Sequence, residues 1–212
     1  MAVANRRDPV ADLVERISAL KPRGRRALVA IAGAPASGKS TMASQLARVL
    51  NAGAGGAVVV PMDGFHLDNQ ILTARGLLPR KGAPETFDAH GFIACIRRLT
   101  AEPEVIVPVF DRTRDIAIAG AQAVGPEDRI CLVEGNYLLF DEDPWRALTP
   151  LWDLRIRIDV PVAELERRLV RRWLNHGLDD AAARARAGGN DIPNAHRVAG
   201  AALPADVTVK GN

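Results

Sequence analysis

The chain has 212 residues, of which 48% are hydrophobic, and its formal net charge at pH 7 is +3. This size predicts one α/β domain over residues 1–212, with enough apolar side chains for a core. Aromatic residues are few, no recognised nucleic-acid motif is present, and no apolar run approaches the ~20 residues that cross a bilayer, so neither a nucleic-acid partner nor membrane insertion is expected.

The N-terminal part of the chain predicts a helix and then a strand. Met1–Arg7 contains no apolar segment of the kind found in signal peptides, so secretion is not expected. Asp8 followed by Pro9 is typical of the first turn of a helix, and apolar residues at helical spacing follow. After a basic linker at 22–26, the apolar run at 27–32 indicates a buried strand.

The next segment fits the phosphate-binding P-loop pattern G-x-x-x-x-G-K-[ST], and a helical pattern comes after it. Glycines let the backbone approach a phosphate, and the N-terminus of the following helix points its positive end at the same anion. Lys39 can reach the β- and γ-phosphates, and the Ser40 hydroxyl can ligate Mg²⁺. The predicted nucleoside triphosphate site consists of Gly33, Ala34, Pro35, Ala36, Ser37, Gly38, Lys39, Ser40 and Thr41.

The rest of the chain alternates predicted strands with predicted helices. A strand at 57–61 precedes a stretch at 62–87 with little periodicity, which is typical of functional segments. Further strands are predicted at 105–110, 130–133, 154–160 and 206–210, and further helices after Asp88, from Val162, at 179–187 and at 195–202. This order predicts a P-loop NTPase fold, an α/β architecture with a doubly wound, mainly parallel sheet and helices on both faces.

Two carboxylates follow strands at the sheet edge where such folds bind ligands. Asp63 comes directly after the second predicted strand. It could accept the proton of a substrate hydroxyl or help to hold Mg²⁺, or it could be a turn aspartate before Gly64. Glu134 ends an apolar strand, where an acidic residue of the Walker B type would hold Mg²⁺. The alternative for Glu134 is a solvated strand end, and the P-loop favours the metal role.

Three motifs follow the P-loop in a fixed order: Asp63-Gly64-Phe65-His66, Pro108-Val109-Phe110-Asp111 and Val133-Glu134-Gly135. This set resembles the P-loop kinase group of uridine kinase, bacterial pantothenate kinase and phosphoribulokinase. The stretch Arg80–Asp88 is similar to the segment that joins the motifs in that group. Within the group, the chain is most similar to small proteins called fructose transport system kinases or nucleoside/nucleotide kinase-like proteins, over about Leu28 to Arg197.

The resemblance implies an ATP- and Mg²⁺-dependent kinase that transfers the γ-phosphoryl group to a hydroxyl of a small-molecule acceptor. Asp63 corresponds to the catalytic base, and Glu134 corresponds to the metal-associated acid. Phe110 and its neighbours would line the acceptor pocket, and we place His66 near the substrate. Members of the group are often dimers or tetramers, so a homodimer is compatible with the resemblance.

One departure from the uridine kinase pattern affects the acceptor. Uridine kinases carry a tyrosine where Phe110 stands and a histidine soon after, whereas this chain continues with Arg112 and Arg114. A uracil-type acceptor is therefore disfavoured. The two arginines suit an anionic or polyhydroxylated acceptor, or they belong to a solvated loop. Sugar, nucleoside-like and pantothenate-like acceptors stay open, with a fructose-like sugar or a nucleoside-like polyol preferred.

Four arginines on the predicted helix from Val162 suggest a lid over ATP, at about residues 165–190. A guanidinium from a lid can stabilise the charge that develops on the transferred phosphoryl group. We choose Arg168 and Arg172 for this role from the set Arg167, Arg168, Arg171 and Arg172. The alternative is a solvated amphipathic face. The stretch Gly188–Asn194 is similar to the asparagine-containing segment that follows the lid in the nearest relatives, where it lies toward the nucleotide or the acceptor. Its composition alone predicts a turn.

Two other classes of function remain as alternatives. One is a switch that hydrolyses a nucleoside triphosphate to drive a partner, although the chain lacks the Asn/Thr-Lys-x-Asp motif of GTPases. The other is a degenerate kinase acting as a regulatory subunit, which the intact P-loop and carboxylates disfavour. Cys95 and Cys131 are expected to be small core residues in a reducing cytoplasm.

Overall fold

The computed structural model describes residues 8–211. Within this range there are seven strands. They are β1 (Ala27–Gly33), β2 (Ala57–Pro61), β3 (Val105–Asp111), β4 (Ile116–Val124), β5 (Ile130–Gly135), β6 (Leu154–Asp159) and β7 (Val207–Lys210). Five of them form a parallel sheet in the order β2-β5-β1-β6-β7. The predicted α/β fold with a mainly parallel sheet is confirmed.

The described residues also form seven α-helices. They are α1 (Pro9–Ser18), α2 (Lys39–Ala52), α3 (Asn69–Ala74), α4 (Ala89–Ala101), α5 (Val162–Asn175), α6 (Asp180–Arg186) and α7 (Ile192–Gly200). Asp8 and Asp88 accept hydrogen bonds from backbone N–H groups in the first turns of α1 and α4, as their positions before these helices predict. None of the helices within residues 8–211 is long and apolar enough to cross a bilayer.

The centre of the core is β1, which lies between β5 and β6 and is buried along its whole length. Because both of its faces are covered, its sequence is a continuous apolar run and does not alternate with polar residues. This burial fixes the end of β1, where the P-loop begins, relative to the ends of the neighbouring strands.

The third predicted strand does not join the parallel sheet. Instead, β3 pairs antiparallel with β4, a strand that was not predicted, and the two form a separate two-stranded sheet. The turn between them contains Asp115, whose φ of 56° lies in the left-handed region. The residues of β4 are mostly small and lack a strong alternation of apolar and polar types, which is why no strand was predicted there.

The predicted turn at Gly188–Asn194 is also wrong. Ala187–Asp191 forms a π-helical turn that runs directly into α7. Tertiary contacts override the turn composition, because the buried Asn190 side chain donates a hydrogen bond of 2.8 Å to the carbonyl of Lys81.

A buried arginine joins the hairpin of β3 and β4 to the parallel sheet. Arg26 directly precedes β1 and is only 1% exposed. Its guanidinium donates hydrogen bonds of 2.5 to 3.4 Å to five backbone carbonyls at the end of α4, before β3 and at the end of β4: those of Leu99, Glu102, Pro103, Val124 and Gly125. The charge is therefore satisfied by dipoles, and three segments meet at one side chain.

Replacing this side chain should destabilise the protein strongly. Arg26→Met removes the guanidinium donor from all five carbonyls, and we expect the free energy of unfolding in urea to fall by about 3–5 kcal/mol. Arg25→Met is the matched control, because Arg25 is the exposed neighbour. Equal losses in the two variants would contradict the role assigned to Arg26.

Candidate active site

The P-loop has the backbone geometry of an anion-binding concavity. It leaves β1 at Gly33 and enters α2 at Lys39. Ala36 and Gly38 have φ values of 64° and 91°, and left-handed residues of this kind turn successive N–H groups toward one side. A Cβ at Gly33 would lie 2.4 Å from Ser37 Oγ, so the loop closes tightly only with glycine there. This geometry fits the predicted phosphate site.

Glu134 and Ser40 lie together beside the P-loop. Glu134 is 4% exposed, and the nearby Ser40 hydroxyl favours its ionised carboxylate. Burial raises the pKa of Glu134, and the nearby Lys39 ammonium opposes this shift. A hard cation would stabilise the ionised carboxylate, and Mg²⁺ is usually bound by one or two carboxylates together with phosphate oxygens. The oxygen donors present therefore fit Mg²⁺.

Larger metal-binding clusters are absent from the part of the chain that the structure describes, where no group of three or more His, Cys, Asp or Glu residues could hold an ion. Both cysteines are buried and free, as predicted for core residues. Burial raises the pKa of the Cys95 thiol to about 11. These thiols are not poised to act as nucleophiles.

Asp63 is presented by a short 3₁₀ turn, Met62–Phe65, that follows β2. The last residue of β2, Pro61, is paired with Glu134 of β5, so the two carboxylates belong to one edge of the sheet. Asp63 Oδ2 accepts a hydrogen bond of 2.7 Å from Arg112 Nη2. A Cβ at Gly64 would lie 2.3 Å from the carbonyl oxygen of Pro108, so glycine allows the turn to touch the hairpin.

Aromatic rings form a wall beside Asp63. The His66 ring lies 4.0 Å from the ring of Phe87 and 4.5 Å from that of Phe110, measured between centroids. The Lys81 ammonium lies 5.2 Å from the centre of the Phe110 ring and is bound by the carboxylate of Asp115 at 2.8 Å. Planar rings of this kind provide an apolar surface with a defined orientation for a small ligand.

One pocket of about 540 Å³ connects these parts. The predicted site residues that line it are Pro35, Asp63, His66, Phe110, Arg112 and Arg172. The opposite side comes from α5, α6 and the segment after them, including Trp173, Arg186 and Asp191. The pocket therefore joins the P-loop, the carboxylate after β2 and the helices predicted to form a lid.

The four arginines of α5 have different surroundings. Arg168 donates hydrogen bonds to the carbonyl of Ala36 in the P-loop at 3.2 Å and to Glu164 at 2.6 Å. Arg167 is exposed and pairs with the same glutamate, and Arg172 faces the pocket. Arg168 and Arg172 are thus the two that lie near the predicted phosphate and acceptor positions.

Some residues differ from the predicted arrangement. Arg114 is bound to Asp111 at 2.7 Å within the hairpin turn and does not line the pocket. Conversely, Lys81, Trp173 and Arg186 line the pocket although no role in the site was predicted for them. These three side chains reach the pocket from separate elements, and no local pattern connects them. Phe110 was predicted to end a strand of the parallel sheet, whereas it lies in the separate hairpin of β3 and β4, which brings it to the pocket.

Comparison with known proteins places the chain among kinases. The model of the phosphoribulokinase/uridine kinase family matches residues 28–186. The crystal structure of a candidate fructose transport system kinase from Silicibacter sp. TM1040 has a TM-score of 0.91 and 57% sequence identity. That match covers 95% of this chain and 99% of the other. This agreement confirms the resemblance inferred from the ordered motifs.

Relatives with other names are also similar. A candidate uridine kinase of Schizosaccharomyces pombe is 34% identical over 178 residues, which cover 79% of this chain and 74% of that protein. A pantothenate kinase of Sorangium cellulosum is 37% identical over 163 residues, which cover 73% of this chain and 52% of that protein. The relatives are named for different acceptors.

The stability of the site should depend on pH through His66. Burial lowers the pKa of His66, against the opposing charge of Asp63, so folding favours the neutral ring. Its contribution is complete above the unfolded-state pKa near 6.5 and is lost as the pH falls from there toward the lower folded-state pKa. Between pH 7.5 and 5.5 we expect the free energy of unfolding to fall more in the wild type than in His66→Asn, because the buried wild-type ring disfavours the proton that the unfolded chain binds.

The control for this measurement is His90→Asn, because His90 is exposed at the start of α4. Its unfolding free energy should follow the wild-type pH dependence. An unchanged pH dependence in His66→Asn would show that the ring is equally easy to protonate in the folded and unfolded states.

Proposed function

The chain belongs to the phosphoribulokinase/uridine kinase family of P-loop kinases, and from that membership we propose that it transfers the γ-phosphoryl group of ATP to a hydroxyl of a small-molecule acceptor, a fructose-like sugar or a nucleoside-like polyol. The observation that carries the proposal is the pocket that extends from Pro35 of the P-loop past Asp63 to the aromatic wall. A carboxylate at the end of β2 can face both the phosphate site and an acceptor in that pocket.

The nucleotide half of the site accounts for ATP binding. Backbone N–H groups of the P-loop and the Lys39 ammonium would hold the phosphates. Mg²⁺ would be held by Ser40 and Glu134, and when bound it would neutralise charge on the phosphate oxygens. Arg168 already contacts the P-loop and is placed to stabilise the transferred group.

Asp63 would serve as the base. The acceptor O–H bond breaks as the proton passes to the Asp63 carboxylate, and the acceptor oxygen forms a bond to the γ-phosphorus. The bond from that phosphorus to the bridging oxygen breaks, and ADP leaves with the electron pair. Arg112 orients the carboxylate in the absence of acceptor, because it binds one of its two oxygens.

The helices α5 and α6 would form the lid, within the predicted limits of about 165–190. They place Arg172 and Trp173 on the side of the pocket opposite the aromatic wall. Closure of such a lid excludes water from the phosphoryl group. We place the protein in a reducing cytoplasm, because both of its cysteines are free and buried.

The relative from Silicibacter supports a sugar acceptor, because fructose appears in its name and its sequence is 57% identical to this chain. A pantothenate-type acceptor is the second candidate, supported by the 37% identical pantothenate kinase. A panel of sugars, nucleosides and pantothenate, assayed for ADP release with Mg·ATP and for product by mass spectrometry, separates the two. ADP release without any phosphorylated product would support the hydrolytic switch instead.

The role of Asp63 is tested by Asp63→Asn. We expect kcat to fall by about 10³-fold, because the amide cannot accept the proton, while the Kd for ATP changes by less than about threefold. Asp68→Asn is the control, since Asp68 caps α3 outside the pocket and asparagine is also a good cap. Full turnover by Asp63→Asn would remove the base assignment.

The hairpin provides a matched pair of arginine variants. Arg112→Gln should lower kcat/KM for the acceptor by about tenfold, because the Asp63 carboxylate loses the group that orients it. Arg114→Gln should stay within about twofold of the wild type, since neither Arg114 nor its partner Asp111, the last residue of β3, lines the pocket. The two variants are compared by steady-state kinetics with the acceptor that the panel identifies. Equal losses of kcat/KM would mean that Arg112 acts through the conformation of the hairpin turn and not through Asp63.

A further inference from the structure

On the side of the pocket formed by the aromatic wall and the hairpin, most charged side chains are paired with an opposite charge. Asp63 is bound by Arg112 at 2.7 Å, and Asp115 is bound by Lys81 at 2.8 Å. The buried ring of His66 has a lowered pKa and is neutral near pH 7. The acceptor wall therefore contributes little net charge.

The lid side of the same pocket is different, because its cations lack carboxylate partners. Within residues 8–211, neither Arg172 nor Arg186 forms an ion pair. The nearby Asp191 is engaged by another group, since its Oδ2 accepts a hydrogen bond of 2.6 Å from Trp173 Nε1. Arg186 is partly buried and forms no ion pair with another described residue, and on the lid side of the pocket the two guanidinium groups of Arg172 and Arg186 outnumber the one carboxylate of Asp191.

Trp173 holds these guanidinium groups in place. The Arg186 guanidinium carbon lies 4.7 Å from the centre of the indole ring, and that of Arg172 lies 5.8 Å from the same ring. The bond to Asp191 fixes the indole, so the stacked guanidinium keeps its N–H donors free for a ligand. A stacked arginine with free donors is suited to binding a planar carboxylate or a phosphate.

We propose that Arg186, with Arg172 beside it, binds an oxyanion of the phosphoryl acceptor, so that the acceptor is an anionic polyol such as a sugar phosphate or a sugar acid. This inference rests on the proposed kinase function and narrows its acceptor class. The neutral parent sugar would leave the cationic end of the pocket without a partner.

The position of Arg186 favours the acceptor over ATP. Arg168 is the arginine that contacts the P-loop, through the carbonyl of Ala36. Arg172 lies one helical turn further along α5, and Arg186 belongs to the next helix. The pocket that Arg186 lines contains Lys81 and Phe110 of the acceptor wall, and Pro35 is its P-loop residue.

The test compares matched acceptors and two arginine variants. Fructose is the neutral parent of fructose 1-phosphate and fructose 6-phosphate, and glucitol is the neutral parent of gluconate. The first set tests a phosphate on the acceptor, and the second tests a carboxylate. The variants are Arg186→Gln and its control Arg184→Gln, because Arg184 lies on the same helix but pairs with Asp180 in solvent.

We expect kcat/KM to be at least ~10-fold higher for one anionic acceptor than for its neutral parent. Arg186→Gln should remove this preference by raising the KM for the anionic acceptor about tenfold or more, with the KM for ATP unchanged and Arg184→Gln like the wild type. A wild-type preference for the neutral parent, or a rise in the KM for ATP alone, would overturn the proposal.

A binding measurement keeps the outcome separate from that of the kinase proposal. With the P-loop occupied by Mg·AMPPNP, inorganic phosphate and acetate are used as probes of thermal stability. We expect one of them to raise the Tm of the wild type and of Arg184→Gln but not that of Arg186→Gln. If no acceptor is phosphorylated but this pattern appears, the anion site stands and the kinase proposal fails. If the pattern is also absent, the anion site is refuted.

Discussion

The buried guanidinium of Arg26 joins two parts of this kinase. One is the nucleotide half, the parallel sheet with its P-loop, and the other is the acceptor half, the β3–β4 hairpin with the aromatic wall. Arg26 lies directly before β1, the strand that leads into the P-loop, and it binds carbonyls at the end of α4 and at the open end of the β3–β4 hairpin. The hairpin has its own two-stranded sheet and shares no ladder with the parallel sheet. The hairpin is also joined to β2 by a hydrogen bond of 2.9 Å from Gln122 Nε2 to the carbonyl of Val59, but Arg26 supplies five hydrogen bonds at its open end and at the end of α4.

The second attachment lies further along the hairpin. Gly64 touches the backbone of Pro108, and this contact brings Phe110 and Arg112 beside His66 and Asp63. The position of the aromatic wall relative to Asp63 therefore depends on this close approach and on the hydrogen bonds of Arg26. With Asp63 as the proposed base, both contacts would affect how an acceptor hydroxyl meets the γ-phosphorus.

The nucleotide half could be predicted from the sequence because its chemistry is local. The P-loop, Lys39 and Ser40 fall within one short segment, and Glu134 ends an apolar strand that has to be parallel to β1. Asp63 was found for the same reason, as it follows β2 directly.

The acceptor half could be predicted only in part. The β4 strand was missed because its small residues carry no clear period, and the π-helical turn was missed because a contact from Asn190 overrides its glycines. The stacking of Arg186 on Trp173 joins two helices, so neither helix alone indicates it. Contacts of this kind depend on tertiary packing, which propensity and spacing do not describe.

The hairpin's backbone attachments have a consequence for how such an enzyme can diversify. Its anchors are carbonyl oxygens, which every residue type supplies, so the side chains at Phe110, Arg112 and Arg114 can be exchanged without detaching the hairpin. The nucleotide half does not need to be rebuilt when they change. The fold thus separates the P-loop from the hairpin side chains that face the pocket, and those side chains can change without any change in the P-loop.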